Sequence, residues 1–172
     1  MENLKEAGMD PYPEKSERSF SNSEALEKFS KIKGDIFLVG RVRSFRPMGG
    51  SCFSHIEDES AKIQIFLNKK NIGPEKYNLF TSSAEMGDFI EVKGALFETK
   101  TGEKTLNVAD WKMLAKSLRP IPTEYHGLKD TEELLRKRYL DLMLNPETRE
   151  LFRKKNVFWL TIRNFLAGAG FL

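Results

Sequence analysis

Ser51-Cys-Phe-Ser-His-Ile-Glu-Asp-Glu-Ser-Ala-Lys-Ile-Gln-Ile-Phe-Leu-Asn68 reads as two strands joined by a polar turn. Side chains alternate across a strand, so each half sorts into two faces. Ile63, Ile65 and Leu67 share an aliphatic face, with Cys52, Ser54 and Ile56 as their natural counterparts. Phe53, His55, Gln64 and Phe66 collect on the opposite face. With the turn at Asp58 to Ala61, Phe53 lies across from Phe66 and His55 across from Gln64. A slip of a single residue would scatter this set.

Upstream, the run from Asp35 to Arg46 is β-branched and aromatic, and Gly40 inside it marks the bend or bulge that a barrel corner needs. Pro47-Met-Gly-Gly50 reads as the loop that ends it. Downstream, Gly73-Pro74 opens a helix reaching about Ala84. Asp88 to Glu98 and Lys104 to Leu114 are two further strands, joined by a hairpin turn at Thr101-Gly102. Three strands, a helix and a two-strand hairpin follow the order of an OB-fold, a five-stranded, partly open barrel. A β-sandwich would more often continue with strands where this chain has a helix.

The flanks are helical. Glu2 to Gly8 forms a short helix, Pro11 and Pro13 enforce extension, and Ser23-Glu-Ala-Leu-Glu27 begins a serine-capped helix ending near Ser30. Past the barrel, Leu118-Arg-Pro-Ile-Pro122 is a stiff linker. Thr131 to Leu144 is helical, and Asn145-Pro146 starts a second helix with Asn as cap. Leu151, Phe152, Val157, Phe158, Ile162, Phe165 and Leu166 stripe that helix and call for a large partner surface. The expected division is an N-terminal helical extension over 1–34, the OB-fold over 35–117, a linker over 118–130, and the start of a further domain over 131–172. The sequence thus reads as the front part of a longer protein.

Composition excludes more than it proves. The 172 residues are 40% hydrophobic and 31% charged, as in an ordinary globular chain. The longest apolar runs fall short of the roughly 20 residues that a membrane helix takes. The N-terminus has no secretory pattern, and one cysteine excludes an internal disulfide framework. A cytoplasmic protein is the expectation. One cysteine and two histidines argue against a zinc site, and Cys52 reads as a small buried hydrophobe. No phosphate loop, nucleophile–base pair or carboxylate dyad is recognisable, so neither a catalytic residue nor a cofactor or metal site is assigned. The net charge of +3 permits a polyanionic partner without arguing for one.

The case for nucleic acid comes from the outer face. Aromatic rings stack unpaired bases for roughly 1–3 kcal/mol each, and an amide reads a Watson–Crick edge with both donor and acceptor. Phe53, Phe66, Gln64 and His55 supply those groups, and Arg41, Arg43 and Arg46 supply phosphate or carbonyl contacts. Glu103 sits on a loop flanking the usual oligonucleotide site of an OB-fold. Taken singly, each has a plain alternative: a packing ring, a solvated surface, a turn residue or a charged edge. Their convergence on one surface carries the argument.

The chain also resembles the N-terminal part of bacterial-type class II lysyl-tRNA synthetases across nearly its whole length. The resemblance is carried by Ala7-Gly-Met-Asp-Pro-Tyr-Pro13, Gly40-Arg41 through Met48-Gly49, Ile63-Gln-Ile65, Lys100-Thr-Gly-Glu103, Ala115-Lys-Ser-Leu-Arg-Pro-Ile-Pro122, Tyr125-His-Gly-Leu128 and Lys137-Arg-Tyr-Leu-Asp-Leu142. Arg-Tyr-Leu-Asp-Leu is shared with aspartyl and asparaginyl enzymes; the linker and Lys-Thr-Gly-Glu are more specific to lysyl ones. The resemblance implies an anticodon-binding OB domain in which Phe53 stacks an anticodon uracil. It further implies that Gln64 contacts a base edge, that Glu103 belongs to the same anticodon site, and that Arg41 and Arg46 match basic residues there. It implies that the full-length parent, a homodimer, uses ATP and Mg2+ to attach lysine to tRNA(Lys), and that residues 145–172 open its dimer-forming motif without its ATP and lysine site. Gly50 replaces a usual lysine, and His55-Ile-Glu57 replaces Thr-Leu-Gln. Three other readings stay open: an aspartyl- or asparaginyl-type anticodon domain, a non-specific single-strand-binding OB module, and a purely structural barrel.

Overall fold

Ser51–Glu57 (β2) and Lys62–Asn68 (β3) pair in the register expected from their alternation, with Phe53 opposite Phe66 and His55 opposite Gln64. The structure is a computed structural model that describes residues 1–121 and 131–171. The remainder of the linker expected over 118–130, the Tyr125-His-Gly-Leu128 segment and Leu172 lie outside the described residues. The chain divides into two compact units, Met1–Pro120 and Ile121–Leu172.

In the first unit, Asp35–Met48 (β1) pairs on one side with β2 and on the other with Phe89–Glu98 (β4). Lys104–Ala115 (β5) lies antiparallel to β4 and parallel to β3, closing a barrel in the order β1-β2-β3-β5-β4. The parallel seam is short: Gln64, Ile65 and Phe66 against Thr105, Leu106 and Asn107. Ile56, Ile63, Ile65 and Leu67 point inward and meet Leu38, Val42, Ile90, Val92 and Leu106 in the core. Fully burying such a side chain stabilises the fold by roughly 1.5–3 kcal/mol. The result is a five-stranded OB-fold with a helix between β3 and β4. Cys52 faces the same interior, and burial pushes its thiol pKa up to about 11.

Glu2–Glu6 (α1) and Asn22–Glu27 (α2) belong to the barrel's unit, because Leu4 and Ala25 are fully buried in its core. The cap of α2 is Ser21, two residues before the serine read from the sequence. Its hydroxyl accepts from the Glu24 amide at 3.2 Å while Glu24 accepts from the Ser21 amide at 2.9 Å, a reciprocal capping box. Lys69–Ile72 (α3) is a turn of helix unanticipated in the sequence, capped by Asn68. Pro74–Ser83 (α4) follows and places Phe80 edge-on to Trp111 at 5.1 Å.

β1 does not stop at Arg46. Pro47 and Met48 remain paired with Cys52 and Ser51, and β4 accompanies β1 only as far as Arg41. Pro47 therefore sits where the strand has one neighbour, and its missing N–H breaks no ladder. The bulge near Gly40 falls between Val42 and Ser44. Gly40 itself serves a close approach: a Cβ there would come within 3.0 Å of Ile56 Cβ.

In the second unit the helix expected over 131–144 is broken at Lys137 into Thr131–Arg136 (α5) and Arg138–Leu144 (α6). Asn145 caps Pro146–Gly168 (α7) by accepting from the Glu147 amide at 3.0 Å, with Pro146 in the first turn as expected. None of the described residues of α7 is buried, and Phe158, Trp159 and Phe165 are among its exposed apolar side chains.

Candidate nucleic-acid interface

The outer face of β2 and β3 carries two parallel rows of side chains running across the strands. One is aromatic. Phe53 and Phe66 stand 4.6 Å apart between ring centroids, tilted by 38°, and Arg46 pairs with Phe53 from β1. The row ends on a residue the sequence reading missed, Phe97 of β4, 6.1 Å from Phe66 and edge-on at 62°. Counting along the whole strand misses it, because β4 shifts register between Lys93 and Gly94. The signal available was Leu96, which packs on the core and turns its neighbour outward.

The second row is polar and continuous. Ser44 Oγ lies 2.8 Å from His55 Nδ1, and His55 Nε2 lies 3.0 Å from Glu103 Oε1. Gln64 Nε2 donates to Glu103 Oε2 at 2.7 Å, and Gln64 Oε1 accepts from Thr105 Oγ1 at 2.8 Å. Glu103 reaches this position from the β4–β5 turn. Its amide donates to Thr99 Oγ1 at 3.0 Å, the Thr99 amide donates to the Glu103 carbonyl at 3.0 Å, and Gly102 takes a φ of 83° that favours glycine.

Between the rows lies an open groove of about 500 Å³ lined by Arg46, Met48, Phe53, Gln64, Phe66, Phe97, Thr99, Lys100, Thr101 and Glu103. Its wall at Met48 is held by Tyr77, whose hydroxyl donates to the Gly49 carbonyl at 3.0 Å. Of the residues singled out from the sequence, Phe53, Phe66, Gln64, Glu103 and Arg46 line this groove, and His55 joins it through Glu103. Arg41 and Arg43 lie outside this groove lining. Arg41 pairs with Glu57, beyond Ser44 and the bulge, and its guanidinium stacks 4.3 Å from the Phe89 ring of β4, away from the groove lining. Burial and the neighbouring Arg43 charge lower its pKa from the ordinary arginine value. Arg43 is also engaged, with Glu57 at 2.7 Å.

Partly buried rings beside an oriented amide and carboxylate form a surface for flat ligands with polar edges. Residues 36–114 match the tRNA anticodon family of OB-fold nucleic acid binding domains. Over 98% of its length the chain is 40% identical to a lysine–tRNA ligase of Pelotomaculum thermopropionicum, and over its full length 40% identical to one of Halalkalibacterium halodurans. The barrel is an anticodon-binding OB domain matching the N-terminal part of lysyl-tRNA synthetases. A Carboxydothermus hydrogenoformans lysine–tRNA ligase is 41% identical over 98% of the chain. In these three relatives the match covers 33%, 36% and 35% of their length, so the chain spans about a third of each. Within this OB domain the groove lies on the β2–β3 face where such folds take oligonucleotides. Among the described residues, no helix is long and apolar enough to cross a membrane, and no cluster of three or more His, Cys, Asp or Glu could hold a metal ion.

Proposed function

We propose that this OB domain, as the N-terminal portion of a lysine–tRNA ligase, recognises the anticodon loop of tRNA(Lys) by stacking one base on Phe53 and reading its edge with Gln64 and Glu103. The observation that carries this reading is the junction of the two rows, where the Phe53 ring adjoins an amide already oriented by Glu103 and Thr105. Uracil, the base that lysine codons demand, has two carbonyl acceptors and one N–H donor. Gln64 retains a second amide hydrogen for a carbonyl, Glu103 retains acceptor lone pairs for the N–H, and Arg46 offers its guanidinium from the neighbouring strand. His55 is a positioning residue, acting on the base through Glu103. Phe66 backs Phe53.

The comparisons support a division of labour. We place the 35–117 barrel in recognition and the 131–172 helices at the start of the class II catalytic domain. ATP- and Mg2+-dependent activation of lysine belongs to the part of such a ligase that the chain does not span, and residues 1–172 would not aminoacylate alone. The exposed apolar side chains of α7 fit a homodimer interface in the longer, cytoplasmic enzyme.

Titration of the chain with a tRNA(Lys) anticodon stem-loop tests this reading. Phe53→Ala is expected to weaken binding by roughly 1–3 kcal/mol, and replacing the loop uracils by cytosine is expected to weaken binding to the unmodified chain. Unchanged affinity in the variant removes Phe53 from the site; equal affinity for both loops favours a non-specific single-strand binder.

A further inference from the structure

The aromatic row outruns the single stacking contact proposed above. Phe66 has a ring on each side, Phe53 tilted against it at 4.6 Å and Phe97 edge-on at 6.1 Å. Phe66 thus joins the two outer rings into one row. The terminal rings are Phe53 and Phe97, and all three rings line the groove. Phe97 is not needed to fill the barrel, because Leu96, of opposite parity, is the residue that packs on the core. The groove's volume of about 500 Å³ falls in the range of about 300–1,000 Å³ that encloses a drug-sized molecule, more than one nucleobase needs. A second cation accompanies the second ring. Lys100 lies on the β4–β5 turn and lines the groove with Phe97, where it can meet the phosphate of a second nucleotide.

We propose that Phe97 is a second base-stacking platform, so that the groove takes two consecutive RNA bases. The base read by Gln64 and Glu103 rests on Phe53, its neighbour rests on Phe97, and Lys100 meets the phosphate on that side. This inference builds on the anticodon reading. The second position is sequence-tolerant in its stacking, since every base presents a π-face.

The test is a binding titration of Phe97→Ala, Phe97→Leu and Phe53→Ala chains. Each is measured with an intact anticodon stem-loop and with loops carrying one abasic nucleotide on either side of the central base. Phe97→Ala is expected to lower affinity for the intact loop about 5- to 150-fold, and Phe97→Leu to lower it comparably while keeping apolar bulk. With the abasic nucleotide on one particular side, the Phe97 effect should vanish while the Phe53 effect persists. A Phe97 loss that survives both abasic loops, or no loss beside a clear Phe53 loss, overturns the second platform alone. No loss from either ring overturns the anticodon reading beneath it as well.

Discussion

Gln64 and Glu103, 39 residues apart along the chain, meet at 2.7 Å through amide nitrogen and carboxylate oxygen. With Thr105 donating to the other end of the amide, Gln64 has only one orientation that satisfies both partners. The reading group is thus aimed before any ligand arrives, which lowers the ordering cost of binding.

Glu103→Gln tests that aim. The substitution leaves one acceptor where there were two and sets an amide donor against either His55 or Gln64. We expect a loss of stem-loop affinity of about 0.5–1.5 kcal/mol, the worth of one net hydrogen bond, together with a smaller preference for uracil over cytosine. The melting temperature should hardly move, because Glu103 is an exposed turn residue. Paired titrations with the two loops decide it, and undiminished discrimination would deny Glu103 its orienting role.

Gly94→Ala should damage the fold itself. The added Cβ would fall 2.0 Å from the Asn107 carbonyl oxygen and 2.8 Å from its carbon, backbone atoms of the paired strand. Relief requires β4 and β5 to part at their register shift, at a cost of at least about 1–3 kcal/mol. Gly50→Ala, where nothing lies within 4 Å, is the matched control and should melt like the unmodified chain.

Much of this organisation was legible beforehand. The β2–β3 register followed from a four-residue turn and strict alternation, so Phe53, Phe66, His55 and Gln64 fell together on paper as they do in space. Legibility failed where parity broke. Phe97 sits beyond a bulge and Arg41 before one, so counting through the irregularity misplaces them, and only the core-packing neighbour Leu96 marks Phe97 as outward. The interior of Gly40 was read as a bend, yet its role is the tight approach to Ile56. The bonds from Glu103 to His55 and Gln64 depend on how a turn folds over a neighbouring strand, which pattern alone does not encode. Ser21 could have been found: Ser-x-x-Glu at 21–24 is a capping-box spacing.

Asp58 gives a pH signature. Its carboxylate accepts from the amides of Asn22 at 3.0 Å, Ser60 at 2.8 Å and Ala61 at 2.9 Å, and ties α2 to the β2–β3 turn. Burial pushes its pKa up, but hydrogen bonds from Ser60, Asn22 and Ala61 outweigh this and hold it below the ordinary 3.8. The unfolded chain then binds the proton more readily than the folded one, so the stabilisation is present above 3.8 and is lost as pH falls through the folded value. Asp58→Asn should be less stable than the unmodified chain near pH 7 by about 1–3 kcal/mol. Urea unfolding curves should converge at acid pH below 3.8; a constant gap would mean the carboxylate's charge is not what matters.

The seam between β3 and β5 has a temporal consequence. Only three residue pairs join these strands, and the first of them, Gln64 with Thr105, bridges 41 positions of chain. The β1–β2–β3 meander assembles from neighbours, but its amide remains unaimed until the last strand docks. During synthesis, competence to discriminate a nucleotide would consequently switch on late, after β5 has emerged, and a half-made domain would offer aromatic rings without a reader.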